Sequence, residues 1–209
     1  MSIFSARPRD LSGTRIDRMN KSLGVCLLAV FLAVPAYGRA QATGQKPAAK
    51  PDPNPITSAL RDAWNGAKRN VRRSADVMPE AKYNFKPVDS VRTFGAILAH
   101  VAGASYEFCA AAKGEKTPHA EGEFEESAKT KAAIVKALDG AIAYCDEVYK
   151  TLDDAKAAHI VAGAFDGPQA ARAANLIGNT NHFNEHYGNL VTYLRINGLV
   201  PPSSATQQQ

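Results

Sequence analysis

Outside its first 42 residues, this sequence carries almost no surplus charge. The 209-residue chain holds 25 Lys or Arg against 20 Asp or Glu, a formal charge of +5. Residues 1–42 contribute six bases (Arg7, Arg9, Arg15, Arg18, Lys21, Arg39) and two acids (Asp10, Asp17), or +4 of that total, so the remainder stands at +1. A nucleic-acid binder needs Lys and Arg clustered on its folded part, so that class is excluded. Also missing is any repeat of about 20–50 residues, which excludes a solenoid. The apolar–polar alternation of strands is nearly absent, which excludes a sheet protein. The uncharged apolar run from Leu23 to Val34 stops at twelve residues, short of the about 20 that a comfortable membrane anchor needs. What remains, at 45% hydrophobic content, suits one domain of about 150 residues rather than a disordered chain or a multidomain enzyme.

The run Leu23–Val34 follows a basic stretch ending at Lys21 and precedes small residues at Ala36-Tyr37-Gly38 and Ala40-Gln41-Ala42. That order describes a signal peptide and leader over residues 1–42, with Met1 or Met19 as the start. An exported protein, periplasmic or secreted and without a stable membrane anchor after cleavage, is expected. Cys26 lies early in the apolar run, not behind a lipobox, so lipidation there is not expected. Residues 43–54 (TGQKPAAKPDPN) are polar and Pro-rich, as a flexible linker would be. Residues 205–209 read as a polar tail. Without Cys26, two cysteines remain, Cys109 and Cys145, in an oxidising space. Either a disulfide or two separate buried thiols fits the count.

The remaining periodicity is helical, and the protein is all-α. A first helix opens with Asn54 as cap and Pro55 at its first position. It carries Ile56, Leu60, Trp64, Ala67, Val71 and Ala75 on one stripe and stops at Met78-Pro79; Arg61, Lys68, Arg69, Arg72 and Arg73 form a solvated face. Thr93 caps a second helix from Phe94 to about Lys113, ended by Gly114. An acidic Gly/Pro-marked crossover (GEKTPHAEGEFEE) leads to a third helix from about Ser127 to Thr151, with Ile134, Leu138, Ala141, Ile142, Cys145 and Val148 inward. After a loop containing Gly163 and Asp166-Gly167-Pro168, a fourth helix carries Ala174, Ile177, Phe183, Leu190, Val191 and Leu194 as far as Asn197. Four amphipathic helices of this length describe a four-helix bundle.

Five histidines are present. His182 and His186, in NHFNEHY, are spaced by four, which places both imidazoles on one helix face, one turn apart, where a single metal ion can bridge them. His100 lies in LAHVAG, on an otherwise apolar helix with no evident hydrogen-bond partner nearby in sequence. Bundles build metal sites from such facing helices. His119, in the crossover, and His159, in the loop, are expected to be exposed bystanders. The string HFNEH also fits the H-x-x-E-H pattern of inverted zinc proteases, which need a carboxylate ligand downstream. None of the 23 residues after His186 is Asp or Glu. Peptide hydrolysis by that route is excluded.

TFGAILAHVA, followed about eighty residues later by NHFNEHYGNLVTYLRINGLVPPSS, resembles the DinB-like superfamily of metalloenzymes over about residues 55–204. The resemblance implies a four-helix bundle of up-down-down-up arrangement. It implies a divalent ion, Zn, Ni, Mn or Fe, held by His100, His182 and His186 with one coordination side open. Some relatives transfer small thiols such as bacillithiol, mycothiol or glutathione, whose cytosolic location an exported member would not share. In the same arrangement the second and third helices run parallel, with Cys109 and Cys145 at similar height, so a bridge between them is allowed.

A three-imidazole site with an open position is competent for hydrolysis or thiol activation. Helical position nominates Glu107, Asn189 and Tyr193 as residues behind the ligands. Glu185, about 60° round the helix from His182, is expected to be solvated; Phe183 and Tyr187 read as core. The expected function is an exported metal-dependent hydrolase or thiol/group transferase acting on a small molecule. The alternative is a non-catalytic metal or small-ligand binding protein. A homodimer is left open.

Overall fold

A computed structural model describes residues 50–120 and 122–205. The expected signal peptide, Cys26, the linker as far as residue 49 and the last four residues of the tail lie outside the described residues. The described chain is mostly helical. In order it forms α1 (Pro55–Val77), a 3-10 turn (Glu80–Lys82), α2 (Phe94–Lys113), α3 (Glu123–Ser127), α4 (Lys131–Thr151), α5 (Asp154–Ala157), β1 (Ile160–Val161), β2 (Ala170–Ala171), α6 (Arg172–Ile196) and α7 (Pro202–Ala205). The two short strands pair antiparallel, Ile160 opposite Ala171.

The helix ends follow local chemistry, with two departures. Thr93 Oγ1 accepts from the Ala96 amide at 3.2 Å, and Gly114, at φ 78°, closes α2 in the left-handed region that glycine tolerates. Asn54 does not cap α1 with its own side chain. Instead the Asp154 carboxylate accepts from the amides of Thr57 (2.8 Å) and Ile56 (3.2 Å), while Asn54 Oδ1 accepts from the Asp154 amide at 3.1 Å. The starts of α1 and α5 thus satisfy each other's orphan donors. The third long helix begins at Lys131, not Ser127. Ala128 is extended, and Thr130 caps the new start by accepting from Ala133 N at 3.2 Å. The acidic crossover holds α3, and the following loop holds α5 and the strand pair; neither shows the long amphipathic period from which the other helices were legible.

Residues of all four long helices share one core. Trp64 stacks on Tyr149 with ring centroids 4.9 Å apart and meets Phe183 edge-on at 4.7 Å. Full burial of each large apolar side chain contributes about 1.5–3 kcal/mol before entropy is charged against it. On length and composition α2 could cross a membrane; here 14 of its 20 residues are buried, and it packs against both α4 and α6. Contacts between α2 and α4 advance together: Gly95 lies beside Ile134, Tyr106 beside Tyr144 and Cys109 beside Cys145. Between α1 and α4 they run oppositely, Arg61 reaching Leu152, Trp64 Asp146 and Arg72 Asp139. Between α2 and α6 they also run oppositely, His100 facing His186 and Phe108 facing Gly178.

Three expected inward residues point outward: Ile56 is 66% exposed, Ile177 49%, and Ala174 is exposed as well. In α1 the buried place in the first turn goes to Thr57, whose amide Asp154 holds. In α6 the inward stripe includes Asn175, Asn179 and Thr180, each with a hydrogen-bond partner inside. Polarity hid this stripe from a hydrophobic pattern. The basic face of α1 is also less free than expected, since Lys68 pairs with Asp146 at 2.6 Å, Arg72 with Asp76 and Asp139, and Arg61 with the Leu152 carbonyl. The presumed tail residue Ala205 belongs to α7, which packs on α1 and is pinned where Tyr187 Oη donates to Ser203 Oγ at 2.7 Å.

Candidate metal centre

Thr93 sets the start of α2, so that His100 falls on the side turned to α6; His182 and His186 come from α6, one turn apart. His182 Nε2 lies 3.1 Å from His100 Nε2 and 3.0 Å from His186 Nε2. One ligand nitrogen from each ring falls within 4.8 Å of the other two. His186 is buried, and His100 and His182 are half-buried.

The outer nitrogen of His100 defines its tautomer. His100 Nδ1 is 3.1 Å from Glu125 Oε1, and Glu125 Oε2 is 3.0 Å from Arg92 Nε. A carboxylate only accepts, so Nδ1 carries the proton and the Nε2 lone pair of His100 faces the cluster. The Asn189 side-chain amide stands 3.5 Å from His186 Nδ1. His182 Nδ1 is buried without a partner. Burial above all, then the neighbouring histidines and the Arg92 charge, pushes the His182 imidazole down to about 3. Burial likewise lowers His186, with His100 as the next cause. His100 turns its Nε2 lone pair to the other two rings, and three imidazole nitrogens gathered this closely form a donor set that a cation can join. With metal–nitrogen bonds of about 2.0–2.1 Å, neighbouring ligands stand about 3.3 Å apart in a tetrahedron and about 2.9 Å apart on an octahedral face. The residues fit a divalent ion.

A cleft of about 740 Å³ opens beside His186, lined by Arg92, Glu185, Asn189 and Tyr193 among others. Phe108, which does not line this cleft, packs against His182 with centroids 5.9 Å apart, and Phe165 meets Phe108 at 5.0 Å. Gly178 makes room for this wall, since a Cβ there would sit 2.8 Å from Phe108 Cε1.

The residues nominated behind the ligands are placed differently. Glu107 Oε1 accepts from the Phe165 amide at 3.2 Å and so anchors that loop; seven residues of helix carry it about 10 Å from His100 along the axis. Asn189 stands beside His186. Tyr193 is buried, and its hydroxyl donates to the Arg92 carbonyl at 2.7 Å, fixing the segment that presents Arg92. Glu185 is exposed at the cleft. His159 is exposed, whereas His119 is half-buried, bonded to Glu123 at 3.0 Å and packed on Tyr106. Cys109 and Cys145 form a disulfide joining α2 to α4. Glu125, in the crossover, and Arg92, in the segment before α2, escaped notice because nothing in a connecting segment's sequence says which helix face it will lie across.

The DinB superfamily profile matches residues 59–189. Among solved structures, a DinB-like protein from Bacillus cereus ATCC 10987 superposes with a TM-score of 0.59 at 16% identity, covering 69% of this chain and 95% of that one. A DinB-like protein from Bacillus subtilis gives 0.53 at 15% identity, covering 67% and 92%. A mycothiol-dependent maleylpyruvate isomerase gives 0.54 at 16% identity, covering 64% of this chain and 60% of that one. At these identities the likeness carries the fold alone. No curated protein sequence matches. The chain belongs to the DinB superfamily.

Proposed function

We propose that this protein is an exported, divalent-metal-dependent enzyme, a hydrolase or thiol/group transferase acting on a small molecule, with His100, His182 and His186 as ligands in an up-down-down-up four-helix bundle. The observation that carries the proposal is the convergence of three Nε2 atoms from two helices, 3.0 and 3.1 Å apart. The bundle topology is supported by the helix directions, α2 parallel to α4 and antiparallel to α6. Export is supported by the Cys109–Cys145 bridge, a feature that persists in oxidising spaces. A divalent ion in such a site supplies an electrophilic open position where water or a thiol is made acidic. The chain's own groups do the rest. Glu125 holds His100 in the tautomer that offers Nε2, Asn189 abuts the outer nitrogen of His186, and Phe108 keeps water from His182. The cleft beside His186 admits a small molecule to one side of the rings.

A second function, binding without turnover, is favoured by one observation. Glu125 is committed to His100 and Arg92, so among the described residues no uncommitted carboxylate touches the three rings. Elemental analysis of protein purified without a histidine tag tests the metal claim. One divalent ion per chain is expected in the wild type and almost none in His182→Ala; equal, near-zero contents would overturn it. Turnover of an ester, amide, epoxide and thiol-acceptor panel by the loaded protein then separates enzyme from binder.

A further inference from the structure

The Arg92–Glu125 pair leaves half of a guanidinium unused. Arg92 spends Nε on Glu125, and its two terminal nitrogens have no hydrogen-bond or ion-pair partner among the described residues. The side chain stays 46% exposed on the wall of the cleft that also holds His186 and Asn189. Its backbone is not free to swing, since Tyr193 Oη holds the Arg92 carbonyl. Two acids line the cleft: Asp89 is paired with Lys86 at 3.0 Å, and Glu185 has no ion pair among the described residues. A fixed guanidinium with a free edge is the group that grips a carboxylate through two parallel N–H bonds.

We propose that the cleft recognises small molecules bearing one carboxylate, gripped by the outer edge of Arg92 while the remainder reaches the histidines, and that Glu185 at the rim selects against a second negative charge. This substrate class rests on the metal-site function proposed above, and thiols give a test that separates the two. In cobalt-loaded protein, the sulfur-to-cobalt absorption band is titrated with 3-mercaptopropionate, 2-mercaptoethanol and mercaptosuccinate. Thiol acidity cancels when wild type is compared with variant. The preference for 3-mercaptopropionate over 2-mercaptoethanol should be about tenfold greater in wild type than in Arg92→Gln, as loss of one charge-assisted contact implies. Arg92→Lys, which keeps the charge but not the paired donors, should fall between. The second carboxylate of mercaptosuccinate should add nothing in wild type and tighten binding in Glu185→Gln. Equal preferences in wild type and Arg92→Gln at equal cobalt content would overturn the proposal. Failure to take up cobalt would overturn the metal-site function instead. In that event metal-free protein decides the question by NMR: propionate, and not propionamide, should shift the Arg92 side-chain resonances, and identical responses would reject the carboxylate site.

Discussion

The two halves of α2 meet their neighbours in opposite ways. Near its end, Cys109 is covalently tied to Cys145, and Asn179 Nδ2 donates to both sulfurs at 3.7 Å and to Tyr149 Oη at 3.3 Å. Tyr149 in turn donates to the Leu176 carbonyl at 2.7 Å, and burial pushes its hydroxyl up to about 12, so it stays a donor. Nearer its start, His100 meets two more imidazoles beside an open cleft, with His182 Nε2 3.1 Å from the Nε2 of His100 and 3.0 Å from that of His186. The first region is bridged covalently, although Asn179 Oδ1 is buried there without a partner; in the second, His182 Nδ1 is buried without one and the rings border a cleft. The contrast teaches that stability is concentrated in the aromatic and disulfide layer, which frees the histidine layer to hold groups that a packed core would reject.

Substitutions can break that division of labour. The largest effect is expected from Trp64→Ala, which removes the ring stacked on Tyr149 and leaves the Asp146 carboxylate without its indole donor at 2.6 Å. Chemical denaturation should show a loss of about 3–5 kcal/mol. Replacing both cysteines by alanine opens a loop of sequence separation 36 and should cost about 3–4 kcal/mol by the same measurement. Its metal content at saturation should stay at the wild-type value. A disulfide variant that folds yet loses metal would show that the two regions are not separable.

Smaller effects should come from the other side. Glu125→Gln leaves His100 without its carboxylate and should lower metal affinity by about 10–100-fold in a chelator competition, with the denaturation midpoint of metal-free protein nearly unmoved. A drop in stability as large as that of the cysteine variant would assign Glu125 to structure instead. Smallest of all, Tyr193→Phe removes one hydrogen bond to Arg92 and should cost about 1 kcal/mol of stability.

How much was legible in advance follows from the range of each interaction. The spacing of His182 and His186 is a local fact, and helical geometry carries both to one face of α6; that His100 of α2 joins them is a contact between helices, which the family resemblance and not the spacing implied. The caps at Thr93 and Gly114 are equally local. Asp154 capping α1, Glu125 reaching His100 and Asn179 facing the sulfurs are contacts between segments far apart in sequence, which no periodicity encodes. Ile177 and Asn175 show the converse error, since a polar side chain with a partner inside took the buried place that hydrophobicity alone assigns to its neighbour.

The central claim is that three imidazoles hold one cation. X-ray absorption at the metal edge of untagged, metal-loaded protein measures this directly. The expected spectrum has three imidazole nitrogens at about 2.0–2.1 Å plus lighter scattering from an exchangeable ligand. A bound metal whose spectrum lacks imidazole scattering, or one unchanged in His100→Ala, would contradict the account.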